Sequence, residues 1–297
     1  TTHKSVPMLM SDATACNYDS IYHQKGIITA FKEAGFRTAF FSNQRYNHSF
    51  IDFFGMEADT YDFIKEDSQD SQYNPSDDEL LMLVEKELEK GNRKQFIVLH
   101  TYGSHFNYRE RYPETAAFFL PDFPVDAEVK YKDNLMNAYD NSIRYTDNFL
   151  ARIIHLLKQQ QVDASMLYTS DHGEDIFDDG RHLFLHASPV PSYYQLHVPL
   201  LLWTSDSYRE EYPGIEKAAS MNRQKNISSS ISFFQTMMEL AGIETPYRND
   251  SLSVTSPLYT EKSRVYLNDH NEPHSLDDIG MRKEDFEMLK KRGIDAQ

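Results

Sequence analysis

Cysteine is nearly missing from this chain: Cys16 is the only one in 297 residues. That excludes an intrachain disulfide and a cysteine-built zinc site, and a single thiol does not assign a redox compartment. There is no run of about 18 apolar residues of the kind that crosses a bilayer and no signal-peptide pattern, so the chain as it stands is expected to be soluble. Basic residues are scarce beside acidic ones, 30 against 46, for a formal net charge of −16. A field of that sign repels phosphate backbones, which excludes a broad nucleic-acid surface. The acid excess reads as a solubilising surface, with some carboxylates available to bind a divalent metal. Repeats and low-complexity tracts are also absent. What is abundant is apolar and aromatic: 40% hydrophobic residues, 19 Tyr and 19 Phe. A chain of this length and composition can bury a sizeable core, and whole-chain disorder is excluded.

Along the chain, helical periodicity alternates with short apolar runs. Residues 20–34 predict an amphipathic helix with Ile21, Ile27, Ile28 and Phe31 on one side and Gly35 as its stop. FRTAFFS (36–42) predicts a strand, and 77–90 a surface helix with acids in its first turn and a Leu80, Leu81, Val84, Leu88 stripe. QFIVLH (95–100), SMLYTS (165–170) and VPLLLWTS (198–205) predict buried strands, 134–160 a long helix and 227–241 another. Residues 106–133 are rich in Tyr, Pro and Phe without periodicity and predict a long functional loop. The alternation predicts an α/β fold, a three-layer sandwich around a mostly parallel sheet. Residues 1–250 are expected to form one catalytic domain. Residues 251–297 differ in character and predict a small extension or antiparallel edge on the same domain, ending in a charged helix near 283–292.

The chemistry concentrates where strands end. Asp171-His172-Gly173-Glu174 follows a buried strand directly, and ligands of open α/β sheets bind just beyond the carboxyl ends of strands. Asp beside His offers a carboxylate oxygen and an imidazole nitrogen, a normal oxygen/nitrogen pair for zinc, and Gly173 permits a tight turn. The competing reading is a polar turn with a helix cap. A second strand runs into Thr101-Tyr102-Gly103-Ser104-His105, which delivers His100 and His105 to a strand end; a lone loop histidine is usually only solvated, but two are harder to dismiss. In GRHLFLHASP (180–189), His182 and His186 are each able to reach a metal or a bound phosphate, and spacing alone does not separate them.

SDHGE after a buried strand, LH followed by GSH after another, AYDNSIRYTDNFL (138–150) on a long helix and an opening T-x-x-S-V-P resemble the sulfatase-like phosphoethanolamine transferases. That group, in the alkaline-phosphatase superfamily, includes lipid A and core-sugar transferases and the mobile colistin-resistance enzymes. The resemblance runs from the first residues to about residue 245. SDHGE alone is shared with sulfatases; its combination with the helix and the opening is far more specific. The resemblance implies that Thr2, which is otherwise an unremarkable terminal residue, is the nucleophile. It also implies that Asp171, His172 and Thr2 hold the metal, and that His105 and His186 contact the phosphoryl group or a second zinc. His186 is favoured over His182 because LHASP resembles the family's Leu-His-Gly-x-Pro; His182, His100 and Glu174 are further candidates. Zinc is the expected cofactor, one or two ions, with Mn2+ or Mg2+ as alternatives.

The same resemblance implies transfer of phosphoethanolamine from a phosphatidylethanolamine-like donor to a cell-envelope glycolipid, through a phospho-threonine, at the periplasmic face of the bacterial inner membrane. The family's further glutamate ligand and its membrane-spanning region precede the nucleophile by more residues than this chain has. Together with the start at Thr1-Thr2-His3-Lys4, without Met, this leads one to expect an N-terminally truncated piece of a longer membrane protein, with metal affinity and activity reduced. Competing expectations are a phosphoglycerol transferase, which also uses Thr, and a hydrolase of the same fold. A sulfatase nucleophile in a C/S-x-P-x-R context is missing, since Cys16 is followed by Asn-Tyr-Asp. A non-enzymatic acidic binding domain is the remaining alternative.

Overall fold

The computed structural model describes residues 1–65, 74–91, 94–186 and 190–294. In chain order its regular elements are α1 (Thr2–Leu9), α2 (Ile27–Glu33), β1 (Arg37–Ser42), α3 (Phe50–Gly55), β2 (Thr60–Phe63), α4 (Glu79–Leu88), β3 (Gln95–His100), α5 (Lys132–Gln160), β4 (Ser165–Thr169), β5 (Asp175–Ile176), β6 (Phe184–Leu185), α6 (Tyr193–Leu196), β7 (Leu200–Thr204), α7 (Asp206–Glu211), α8 (Pro213–Asn222), α9 (Ser229–Leu240), β8 (Val265–Leu267), β9 (Pro273–Ser275) and α10 (Lys283–Lys291). The chain divides into two compact units: Thr1–Ala34 with Val162–Glu174 and His186–Gln297, and Gly35–Gln161 with Asp175–Leu185.

The second unit is built on a parallel sheet of order β2-β1-β3, with Ala39 opposite both Thr60 and Ile97. A central parallel strand must be apolar on both faces, and Ala39, Phe40 and Phe41 are all buried. Helix α3 comes so close that a Cβ on Gly55 would lie 2.6 Å from the Phe40 ring. Helix α4 buries its Leu80, Leu81 and Val84 stripe, and Glu87 beyond it is buried between Arg37 and Lys90, which both pair with its carboxylate. The aromatic segment before α5 has three short 3₁₀ turns, at Tyr108–Arg111, Glu114–Ala116 and Val129–Tyr131. A buried polar network fixes it to α5. Asn141 Oδ1 accepts from the Phe118 and Phe119 amides at 2.9 Å, and its Nδ2 donates to Asp122 Oδ2 at 3.1 Å. The Tyr112 hydroxyl donates to the same oxygen at 2.6 Å. Such a network replaces the water a loop would otherwise need.

In the first unit β4 pairs antiparallel with β7, from Ser165 opposite Thr204 to Thr169 opposite Leu200. Helix α9 buries Phe234, Met238 and Leu240 and packs against α1 and β4. β8 and β9 form an antiparallel pair, and α10 packs on α6 through Tyr193, Leu276, Met281 and Leu289. The Asp285 carboxylate bridges the two, accepting from the Tyr193 amide at 2.9 Å and the Arg282 amide at 3.1 Å. The single helix predicted over 20–34 is instead a 3₁₀ turn, Tyr18–Tyr22, followed by α2. Gly26 is extended, and the Ile27 amide donates to the Met10 carbonyl at 2.6 Å, so a long-range partner takes the bond the helix would have used. Ile21, Ile27, Ile28 and Phe31 are buried despite the break.

Candidate active site

Strand β4 ends at Thr169, whose hydroxyl donates to the Pro199 carbonyl at 2.9 Å. The chain then turns through Ser170-Asp171-His172-Gly173. Ser170 Oγ donates to the His172 carbonyl at 2.7 Å, and the Gly173 amide donates to the Gln195 carbonyl at 2.8 Å. Only glycine fits at 173, because a Cβ there would lie 2.1 Å from the Tyr194 carbonyl oxygen. The turn is thus pressed onto the backbone of α6, which fixes the direction of the residues on either side of it.

Thr2 is the first residue of α1, and Ser5 lies one turn later on the same face. Thr2 Oγ1 is 3.0 Å from His172 Nε2, and Ser5 Oγ is 3.1 Å from Asp171 Oδ2. His172 Nδ1 is 3.1 Å from the Gly173 carbonyl, which can only accept, so Nδ1 carries the proton. Burial holds the imidazole below its ordinary pKa; Asp171 opposes this and His186 reinforces it. In that neutral tautomer the Nε2 lone pair faces the Thr2 hydroxyl, which donates to it. Asp171 Oδ2 is 3.4 Å from the same nitrogen. His186 stacks beside His172, ring centroids 3.7 Å apart, and its Nδ1 donates to Glu174 Oε1 at 3.2 Å. Ligand atoms of His172, Glu174 and His186 lie within 4.8 Å of one another. Hydroxyl, carboxylate and neutral imidazole drawn together in this way form an oxygen/nitrogen donor set that suits a zinc-type cation.

The first unit therefore brings together Thr2, Asp171, His172, Glu174 and His186. His100, His105 and His182 belong to the second unit. His100, at the end of β3, has its Nδ1 3.1 Å from Ser42 Oγ. His105 is exposed, packs edge-on to Tyr102 at 5.0 Å, and its Nδ1 donates to the Phe106 carbonyl at 2.5 Å. His182 sits in a turn with φ 54°. Of the LHASP stretch, Ala187, Ser188 and Pro189 lie outside the described residues. Ser5 carried no expectation of its own; its position three after Thr2 on a helix was the available signal.

Residues 1–243 match the Sulfatase family. The chain belongs to the sulfatase family. Among curated proteins, this sulfatase-family chain is 29% identical over 271 residues to phosphoethanolamine transferase EptA of Salmonella typhimurium, covering 85% of the chain and 47% of that protein. It spans about half the length of the curated relatives it matches. Among solved structures, it superposes on the C-terminal periplasmic domain of EcEptC from Escherichia coli in complex with zinc with a TM-score of 0.83. Identity there is 23%, and 94% of this chain and 79% of the other are covered. Against the integral membrane lipooligosaccharide phosphoethanolamine transferase A of Neisseria meningitidis the TM-score is 0.76 at 24% identity, covering 86% and 48%. The parallel sheet of the second unit and these superpositions establish the alkaline-phosphatase/sulfatase-like α/β fold. No helix among the described residues is long and apolar enough to cross a membrane.

Proposed function

We propose that this domain transfers phosphoethanolamine from a phosphatidylethanolamine-like donor to a glycolipid of the cell envelope, at the periplasmic face of the bacterial inner membrane. The observation that carries the reading is the Thr2 hydroxyl directed onto the lone pair of a half-buried, neutral His172 beside Asp171. The relatives named above, phosphoethanolamine transferases that include one of lipooligosaccharide, support the substrate class.

Thr2 Oγ1, Asp171 Oδ2 and His172 Nε2 would hold zinc, with Glu174 and His186 adjoining. When bound, such an ion lowers the pKa of a coordinated hydroxyl and offsets charge on phosphoryl oxygens. The chain's own residues do the rest. Helix α1 presents Thr2 Oγ1 as the atom that bonds to phosphorus, while the bond from phosphorus to the diacylglycerol oxygen breaks and that oxygen takes up the proton Thr2 gives up. Ser5 and Gly173 hold the Asp171-His172 turn at the helix start, so little reorganisation accompanies attack. Glu174 accepts from His186 Nδ1 and so orients that ring beside His172, and His186 and His105 are proposed to contact the phosphoryl group. The phosphoethanolamine-Thr2 ester then passes its group to an acceptor hydroxyl, and Thr2 recovers its proton. Lys4 Nζ donates to the Asn268 carbonyl, which ties residues 251–297 to α1 within the first unit.

The test is Thr2→Ala in the full-length protein, assayed in vesicles with labelled phosphatidylethanolamine and lipid A. Expected are loss of the covalent adduct by mass spectrometry and a fall in transfer of at least ~10³-fold, with Thr2→Ser retaining adduct formation. Undiminished transfer by the alanine variant would exclude this nucleophile, and release of glycerol phosphate in place of ethanolamine phosphate would make the chain a phosphoglycerol transferase.

A further inference from the structure

In the second unit, the loop after β3 is held by Asp77. Its Oδ1 accepts from the Tyr102 amide and from Asn43 Nδ2, both at 2.8 Å, and its Oδ2 accepts from the Gly103 amide at 2.9 Å. The Tyr102 ring so fixed carries two cations: Lys65 Nζ lies 3.8 Å from its centroid and Arg111 Cζ 4.1 Å. Both cations are buried, Lys65 to 7% exposure and the Arg111 side chain to 6%. Arg111 has acceptors: the Asn107 carbonyl at 3.2 Å, Asn74 Oδ1 at 3.5 Å and Glu110 Oε2 at 3.0 Å. For Lys65 no hydrogen-bond acceptor is found among the described residues, although an ammonium has three N–H donors. A ring face recovers much less than the cost of taking that ammonium out of water.

The surrounding charge does not make up the difference. Burial, then Arg111, then Arg45 oppose Lys65 protonation; Asp77 and Glu110 favour it less strongly, and the pKa falls to about 8. Asp77 already serves three N–H groups, and Glu110 is half-exposed and paired with Arg111. A buried ammonium without an acceptor, a guanidinium fork beside it and an excess of positive potential form a receptor for an anion. Two cations match a dianion, and the vacant donors match an ion with three terminal oxygens, which a phosphomonoester has and a carboxylate lacks.

We propose that Lys65 and Arg111, braced on the Tyr102 ring, form a binding site for the dianionic phosphate of a phosphomonoester. The site lies wholly within the second unit, and its residues hold no part of the Thr2, Asp171 and His172 group; His105 packs edge-on to the same Tyr102 ring. Calorimetry on the intact protein, in EDTA at constant ionic strength, tests it with inorganic phosphate and with water-soluble phosphatidic acid. Saturable binding is expected, weakened roughly tenfold or more in Lys65→Met and largely kept in Lys65→Arg. Tighter binding of phosphatidic acid would identify a lipid head group as the source, and equal binding free phosphate. Should Lys65→Met not fold, the wild type decides. Sulfate does not titrate near pH 8, so its binding there must draw protons onto Lys65, read from heats in two buffers of different ionisation enthalpy. Phosphate affinity unchanged in Lys65→Met, or sulfate binding without proton uptake, overturns the proposal.

Discussion

Gly173→Ala tests whether the Asp171-His172 turn is held by its contact with α6 or only by its own sequence. The new Cβ would stand 2.1 Å from the Tyr194 carbonyl oxygen, and ordinary contact begins at 3.4 Å, so backbone must move by roughly 1.3 Å. The obstacle is a carbonyl of α6, whose neighbouring residue accepts the Gly173 amide at 2.8 Å, so no side-chain rotation relieves the clash. Forced overpacking of this kind costs about 1–3 kcal/mol, which for a chain of this size lowers Tm by a few degrees. The functional effect should be far larger, since a displacement near 1 Å at reacting groups costs about 100-fold in rate, and His172 and Glu174 flank the strained residue. Thermal unfolding, zinc titration and transfer assays on the purified variant separate the two effects. A variant with wild-type zinc uptake and turnover would show that the turn does not depend on this contact, and the geometric argument for the site would fail.

Glu174→Gln keeps the shape beside His186 but removes the charge that accepts its Nδ1 proton, so metal affinity or turnover should fall about 10–100-fold with little change in Tm; equal zinc affinity and turnover would remove Glu174 from the site. Lys65 makes stability depend on pH. Its folded pKa of about 8 lies below the ordinary 10.5, so between these values the unfolded chain binds more protons and folding is favoured as pH rises. Relative to Lys65→Met, wild-type stability measured by urea unfolding should therefore increase from pH 8 to pH 10, by about 2 kcal/mol, and a flat difference would mean that Lys65 is not held out of water.

How far the sequence reached depended on the distance over which each feature is determined. The Asp171-His172 turn was readable because a strand, a glycine and two ligand-type side chains are adjacent, and β1 and β3 because both faces of a central parallel strand must be apolar. The antiparallel direction of β7 against β4 was not readable, since a continuous apolar run reads the same either way. The break at Gly26 was hidden by a stripe that stays in phase across it, and the Met10 carbonyl that ends the helix is 17 residues upstream of Ile27. Thr2 shows the limit most clearly. It meets His172 across 170 residues, no local pattern marks it, and only the likeness of its surroundings to a family brought it forward. Lys65 went unread because its partner Tyr102 is brought near only by the pairing of β2 and β3 with β1.

The tautomers limit what the site can hold. His172 Nδ1 donates to the Gly173 carbonyl, so this imidazole has one lone pair, at Nε2, and can bind one ion. Yet His172 belongs to two overlapping donor sets, one with Thr2 and Asp171 and one with Glu174 and His186. The sets therefore compete for a single nitrogen. An ion that takes Nε2 on the Thr2 side leaves only Glu174 and His186 for a second, and two donors hold zinc far less well than the three or four of ordinary protein sites. Among the described residues, then, we expect the first unit to hold one cation beside Thr2. Glu174 and His186 then act from beside it: Glu174 accepts from His186 Nδ1 and so sets the ring that stacks on His172.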